Sequence, residues 1–233
     1  MREPISRDAR LALDLALTLR HDGNGGVADD LTDPVGLSAW VRAHAGLLPA
    51  GARDRAGHPD PVRRADRGDT TAAGAVRPAD VGARGAGPTA GTAQLVAVRE
   101  LRAAVRALFA RAVRPGEPSP ADAARLMPVS EAVRRLNETA ARTPTVPVLD
   151  WPENAGPVLR RQPVHGTADL AAALAHAAIA FLASPDRDRL RACHAPRCVR
   201  YFLKEHPRQE WCTPSCGNRA RVARHHERHR ARA

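Results

Sequence analysis

The stretch Cys193-His194-Ala195-Pro196-Arg197-Cys198, followed after thirteen residues by Cys212-Thr213-Pro214-Ser215-Cys216, decides how this chain is read. These are its only four cysteines, gathered near the end of 233 residues as a Cys-x4-Cys and a Cys-x3-Cys pair. Short-spaced pairs can bend four thiolates around one tetrahedral Zn²⁺, and the intervening chain is long enough for a hairpin. Cys193, Cys198, Cys212 and Cys216 are therefore the candidate ligands of one structural zinc ion. Four cysteines close the coordination sphere, so no position is left for a catalytic water. Two structural disulfides, or a redox switch with labile zinc, are the alternatives. Cystines belong to oxidising compartments, and the start Met1-Arg2-Glu3-Pro4 shows no apolar signal run, so a cytoplasmic location is expected. His194 or His206 could replace one cysteine in a mixed thiolate–imidazole set, but both are read as solvated.

Working outward, Arg189-Leu190-Arg191-Ala192 leads into the first knuckle. Val199-Arg200-Tyr201-Phe202-Leu203 has strand composition, and His206-Pro207-Arg208 supplies the turn. Tyr201, Phe202 and Trp211 are expected to pack against the metal site, since so small a module has little other core. Beyond Cys216 the chain runs as a basic helix. At about 100° per residue, Arg221, Arg224 and Arg228 share one face, with Val222, His226 and Arg219 opposite. The opposite face is expected to dock on the zinc core.

The charge is +11, with Lys204 the single lysine among 36 basic residues. From Ser184 onward thirteen basic residues face five acidic ones. GC-rich coding accounts for arginine elsewhere; the concentration in this tail points to an anionic partner, nucleic acid ahead of membrane. Arg200, Lys204, Arg219, Arg221, Arg224 and Arg228 are the candidate contacts, because guanidinium forks suit both phosphate oxygens and the guanine edge.

Upstream, Arg10 to Leu19 reads as a buried helix ended by the turn His21-Asp22-Gly23-Asn24-Gly25-Gly26. Asp33-Pro34 to His44 reads as a second helix, capped by Asp33 and burying Leu37, Trp40 and Val41. Residues 49–94 hold eight glycines and five prolines but no Ile, Leu, Met or aromatic residue. They are read as a disordered insert that cannot bury enough apolar surface to offset its ordering entropy. Leu95, Val98, Leu101, Val105, Leu108 and Phe109 restore a helical period. Ser119-Pro120 opens a further helix, with Asp122 in a capping-box position. Its expected apolar side is Leu126, Val129, Val133 and Leu136, broken at Pro128. Thr145 to Trp151 and Val158 to Arg160 read as short edge strands. Thr167 is expected to cap an apolar helix through Leu182, with His176 a core or rim residue.

The Cys-x4-Cys, Trp211-Cys212-x3-Cys216 and the run Cys216-Gly217-Asn218-Arg219 resemble the CGNR zinc finger, over residues 187–230. Leu11-Ala12-Leu13-Asp14-Leu15, Leu37-Ser38-Ala39-Trp40, Arg99-Glu100-Leu101-Arg102 and Leu136-Asn137 resemble the ABATE domain, over residues 1–184 with the insert between. Leu17 departs from the family's usual asparagine. The resemblance implies a stress-responsive bacterial transcription regulator whose finger binds DNA and whose N-terminal domain senses a small-molecule effector. It implies Gly217, Asn218 and Arg219 as a signature turn beside the four ligands.

The expected architecture is mainly α (α+β): a helical N-terminal domain with a few short strands, then a zinc-ribbon or treble-clef-like finger ending in a basic helix. The expected function is zinc-dependent DNA binding, with a protein-interaction module or an RNA-binding protein as alternatives. No enzyme is expected, since no nucleophile–base pair, phosphate-cradling loop or His-Glu metal motif occurs. No stretch approaches the apolar length of a membrane span. One short finger offers few base contacts, so a homodimer is the expected assembly.

Overall fold

The computed structural model describes residues 4–22, 26–49, 52, 90–166 and 169–230. Helix α1 (Arg7–Leu17) begins where the Ser6 hydroxyl accepts from the Ala9 N–H, and buries Ala9, Leu11, Ala12, Leu15 and Ala16. It stops two residues earlier than its apolar run suggests. Thr18 turns its hydroxyl back onto the Leu15 carbonyl, and Leu19 enters a strand. That strand, β1 (Leu19–His21), pairs antiparallel with β2 (Val27–Asp29), a hairpin that the sequence reading misses. Of its connecting turn, residues 23–25 lie outside the described residues. Helix α2 (Pro34–Ala43) follows the expectation: Asp33 accepts from the Gly36 N–H, and Leu37, Trp40 and Val41 are buried.

Most of the segment read as an insert lies outside the described residues. Its last part does not fit that reading, because helix α3 (Ala90–Ala112) already begins at Ala90. Val98, Leu101, Val105 and Phe109 of α3 are buried as their spacing requires. A short turn, α4 (Pro120–Ala123), precedes α5 (Val129–Ala141), with Pro128 at the cap of α5. On α5 the buried residues are Ala132, Leu136, Thr139 and Ala140, whereas Val129 and Val133 are exposed. The buried stripe thus lies part of a turn away from its expected place: small residues, not the valines, allow close approach to α3 and α6.

The hairpin β3 (Thr145–Asp150) and β4 (Val158–Pro163) pairs Leu149 with Leu159 and stands largely in solvent. Helix α6 (Leu170–Ala183) is apolar almost all round, and it packs on α1, α3 and α5. Its N-cap is Asp169, which accepts from the Ala171 N–H; Thr167, the expected cap, lies outside the described residues. His176 is a rim residue with its Nε2 2.9 Å from the Thr143 carbonyl oxygen. Phe181 meets Phe109 edge to face at 5.4 Å, in a favoured aromatic arrangement.

The cysteine-bearing segment starts with a 3₁₀ turn (Pro185–Arg189) and the antiparallel pair β5 (Leu190–Ala192) and β6 (Tyr201–Leu203). Helix α7 (Pro214–Arg230) closes it. Alternate residues of a strand face opposite ways, and β6 uses both faces. Tyr201 and Leu203, with Leu190 and Ala192 of β5, join the main helical core. Phe202 joins the cysteines in a second, smaller cluster. The protein is therefore mainly helical with short two-stranded sheets, ending in a finger and a basic helix, as its sequence implies.

Candidate metal centre and its basic helix

Two backbone turns aim the first pair of sulfurs. Cys193 follows β5 directly, and its N–H donates to the Arg200 carbonyl at 2.9 Å. Between them, the Cys198 N–H donates to the Ala195 carbonyl, and Arg197 takes a left-handed φ of 63° to complete the knuckle. The second pair straddles the start of α7. Thr213 precedes Pro214, a residue suited to the first helical position. The Thr213 carbonyl receives the N–H groups of Cys216 and Gly217.

These turns bring four sulfurs together within 4.8 Å of one another, with Cys193, Cys198 and Cys216 buried. The Cys198–Cys212 and Cys198–Cys216 sulfur separations are both 3.8 Å, and Cys212–Cys216 is 3.4 Å. A tetrahedron with Zn–S arms of about 2.3 Å has edges of about 3.8 Å. All four are free thiols, at separations far beyond the roughly 2.05 Å of a disulfide. The donor set and its spacing fit a zinc ion held by four thiolates.

Electrostatics agree. Hydrogen bonds from Cys198 and Cys212 pull the Cys193 thiol down, and their contacts with Cys193 push Cys198 and Cys212 up. The cluster cannot hold several thiolates without a cation to offset them, which is what a divalent metal does. Neither His194 nor His206 joins the group; both are exposed. The His206 ring instead accepts from the Arg208 N–H through Nδ1.

Gly217 has a local reason to be glycine. A Cβ there would stand 3.0 Å from Cδ1 of Trp211, whose indole packs against the cysteine cluster. Phe202 and Trp211 cover the sulfurs as expected, but Tyr201 does not. It packs on Phe109 at 5.6 Å and donates to Asp122 at 3.1 Å. Burial, together with the Asp122 carboxylate, raises its phenol far above the ordinary value and keeps it a neutral donor.

Asp122 is accordingly no capping-box residue. It forms a buried ion pair with Arg106 at 2.7 Å. Arg106 also donates to the Ala16 carbonyl of α1 and to the Val199 carbonyl, each at 2.7 Å. Ser119 makes no cap either; its hydroxyl donates to the carbonyl of Cys198 itself. Helices α1 and α3 and the α4 turn thus hold the backbone beside a candidate ligand. Sequence spacing gives no sign of this, because the partners are 79 to 93 residues apart.

The six basic candidates divide. Arg219 donates to the Cys216 sulfur at 3.1 Å, turned toward the metal centre. Arg200 and Lys204 are half-buried beside β6. Arg221, Arg224 and Arg228 are exposed and line one shallow face of α7 with Glu227. Docking of α7 uses Cys216 and Ala220; Val222, expected on the docked side, is 56% exposed. Among the described residues no helix is long and apolar enough to cross a membrane.

Compared with known proteins, residues 9–185 match the ABATE family, described as "Putative stress-induced transcription regulator", and residues 189–229 match the CGNR zinc finger. No curated protein matches the chain.

Proposed function

The chain belongs to the ABATE family of regulators and ends in a CGNR zinc finger, and from that premise we propose that it is a zinc-dependent, DNA-binding transcription regulator rather than an enzyme. The observation that carries the reading is the pairing of a metal-ready sulfur cluster with an outward helix. One zinc ion held by Cys193, Cys198, Cys212 and Cys216 fixes the start of α7. The helix then leaves the body at Ala220, and Arg221, Arg224 and Arg228 meet solvent on one side.

Such a row of guanidiniums neutralises phosphates and can reach guanine edges in the major groove. Arg219 stays with the sulfurs, and Arg200 and Lys204 stand on either side of β6. Burial of Tyr201 and Phe202 favours duplex DNA over single-stranded RNA, which is usually bound on exposed aromatic platforms. The helical N-terminal domain takes the sensing role, with a small-molecule effector, and pairing of two chains supplies the base contacts that one finger lacks.

The test is a salt series of gel-shift titrations on the zinc-loaded protein and on Cys212→Ser, followed by genomic footprinting of both. Each phosphate neutralised should contribute about −0.9 to the log–log salt slope. A flat salt response, or equal occupancy by the two proteins, overturns the reading. A pull-down that survives nuclease treatment would point instead to an acidic protein partner.

A further inference from the structure

Past the cysteine cluster, the distal half of α7 carries His225, His226 and His229, which neither the zinc centre nor the arginine face uses. His225 and His229 are one turn apart, and their Nε2 atoms lie 3.1 Å from each other. The ring centroids are 4.3 Å apart. We propose that His225 and His229 form a second metal site, a two-imidazole chelate for a late first-row divalent cation such as Ni²⁺, Cu²⁺ or Zn²⁺.

The spacing is the first argument. Histidines at i and i+4 lie on one helical face, the arrangement used by helical zinc-binding motifs. A metal with two nitrogens at about 2.0–2.1 Å and a nitrogen–nitrogen separation of 3.1 Å subtends an angle of about 100°. That value lies between the right angle of square-planar or octahedral ions and the tetrahedral angle. The helix therefore holds the two donors at the bite of a chelate, with no rearrangement of its backbone.

The surroundings select among ions. Imidazole suits zinc, nickel and copper, whereas magnesium and calcium need oxygen donors. Arg221, Arg224 and Arg228 share the helix and oppose every divalent cation alike, so the choice of ion rests on the imidazole donors. His225 and His229 are exposed, so an ion can enter and leave freely, unlike one enclosed by the four sulfurs. The open coordination positions take water or a donor from a bound partner. His226 meets His225 in a T-shaped contact at 6.0 Å; it projects from a neighbouring face and serves as an internal control.

The proposal is independent of any nucleic-acid role. Its test is titration of zinc-loaded, full-length protein with Ni²⁺, followed by calorimetry and native mass spectrometry. One Ni²⁺ should bind per chain beyond the finger's own ion. Substituting His225→Gln or His229→Gln should weaken that equivalent by about tenfold or more, with zinc content unchanged. His226→Gln should leave it within about threefold, below the factor of ten that 1.4 kcal/mol represents. The proposal is overturned if no additional equivalent binds, or if His226→Gln weakens it as much as the other two.

Discussion

Arg106 of α3 and Asp122 of α4 meet at 2.7 Å with their side chains only 3% and 4% exposed. The guanidinium also lies over the Tyr201 ring, 5.3 Å from its centroid. One arginine thus ties the helical domain to the strand that carries the finger. Replacing it with methionine leaves a buried carboxylate without its charge partner, a change that costs about 3–5 kcal/mol. Urea unfolding of Arg106→Met should show a loss of that size. The double variant Arg106→Met/Asp122→Leu should recover part of it, since no unpaired charge remains.

The second prediction concerns the metal. Leu190, Ala192, Tyr201 and Leu203 sit in the main core, while Cys193 and Cys198 flank the same two strands. Chelation should therefore lower the melting temperature of the whole helical unfolding transition, not just that of a satellite. A loss of about 1 kcal/mol at the midpoint shifts a domain of this size by about 2–4 °C. Calorimetry with and without a strong chelator measures it. An unchanged main transition would show that the finger folds apart from the body.

Gly217 offers a sharper local probe. Its α-hydrogen faces Trp211, and the Cβ of an alanine would sit 3.0 Å from the indole Cδ1. Gly217→Ala should displace the ring and cost about 1–3 kcal/mol, the range for overpacking. A shift in tryptophan emission and weaker zinc retention in chelator competition would report it. Ala220→Gly, by contrast, removes packing without a clash and should leave the emission in place.

For the basic helix, Arg224→Gln and Arg228→Gln should each weaken binding to any duplex and reduce the salt slope by about 0.9. Zinc content and thermal stability should stay as they were, because both residues are exposed and their backbone-directed contacts, to Ala220 and Arg224, stay within the helix. Arg219→Gln should behave differently. It removes a donor from the Cys216 sulfur and should loosen the metal first.

What can be read from the chain follows from the range of each signal. The clustered cysteines, the helix start at Asp33 and Pro34, the period of α3 and the apolar run of α6 are local signals, and the chain alone reveals them. Asp122 and Tyr201 escape such reading because Asp122 pairs with Arg106 of another helix and Tyr201 with Asp122, 79 residues away, and a local capping rule or the nearness of cysteines outweighs these contacts. Val222 escapes it because helical angle gives a direction but not the length of the docked surface, which ends at Ala220. Arg219 reads as a nucleic-acid contact because its charge is visible and its sulfur partner is not. Its position three residues after Cys216, on one helical face, is the signal available.

The shared strand β6 has a consequence for the living cell. Because Tyr201 and Leu203 sit among the helices while Phe202 lies over the sulfurs, starvation for the proposed zinc ion should loosen the entire molecule. Proteases act on loosened chains, and a loss of about 1–2 kcal/mol is enough to change abundance several-fold. On that proposal, supply of the ion should govern how many copies survive, before any question of which copies are occupied.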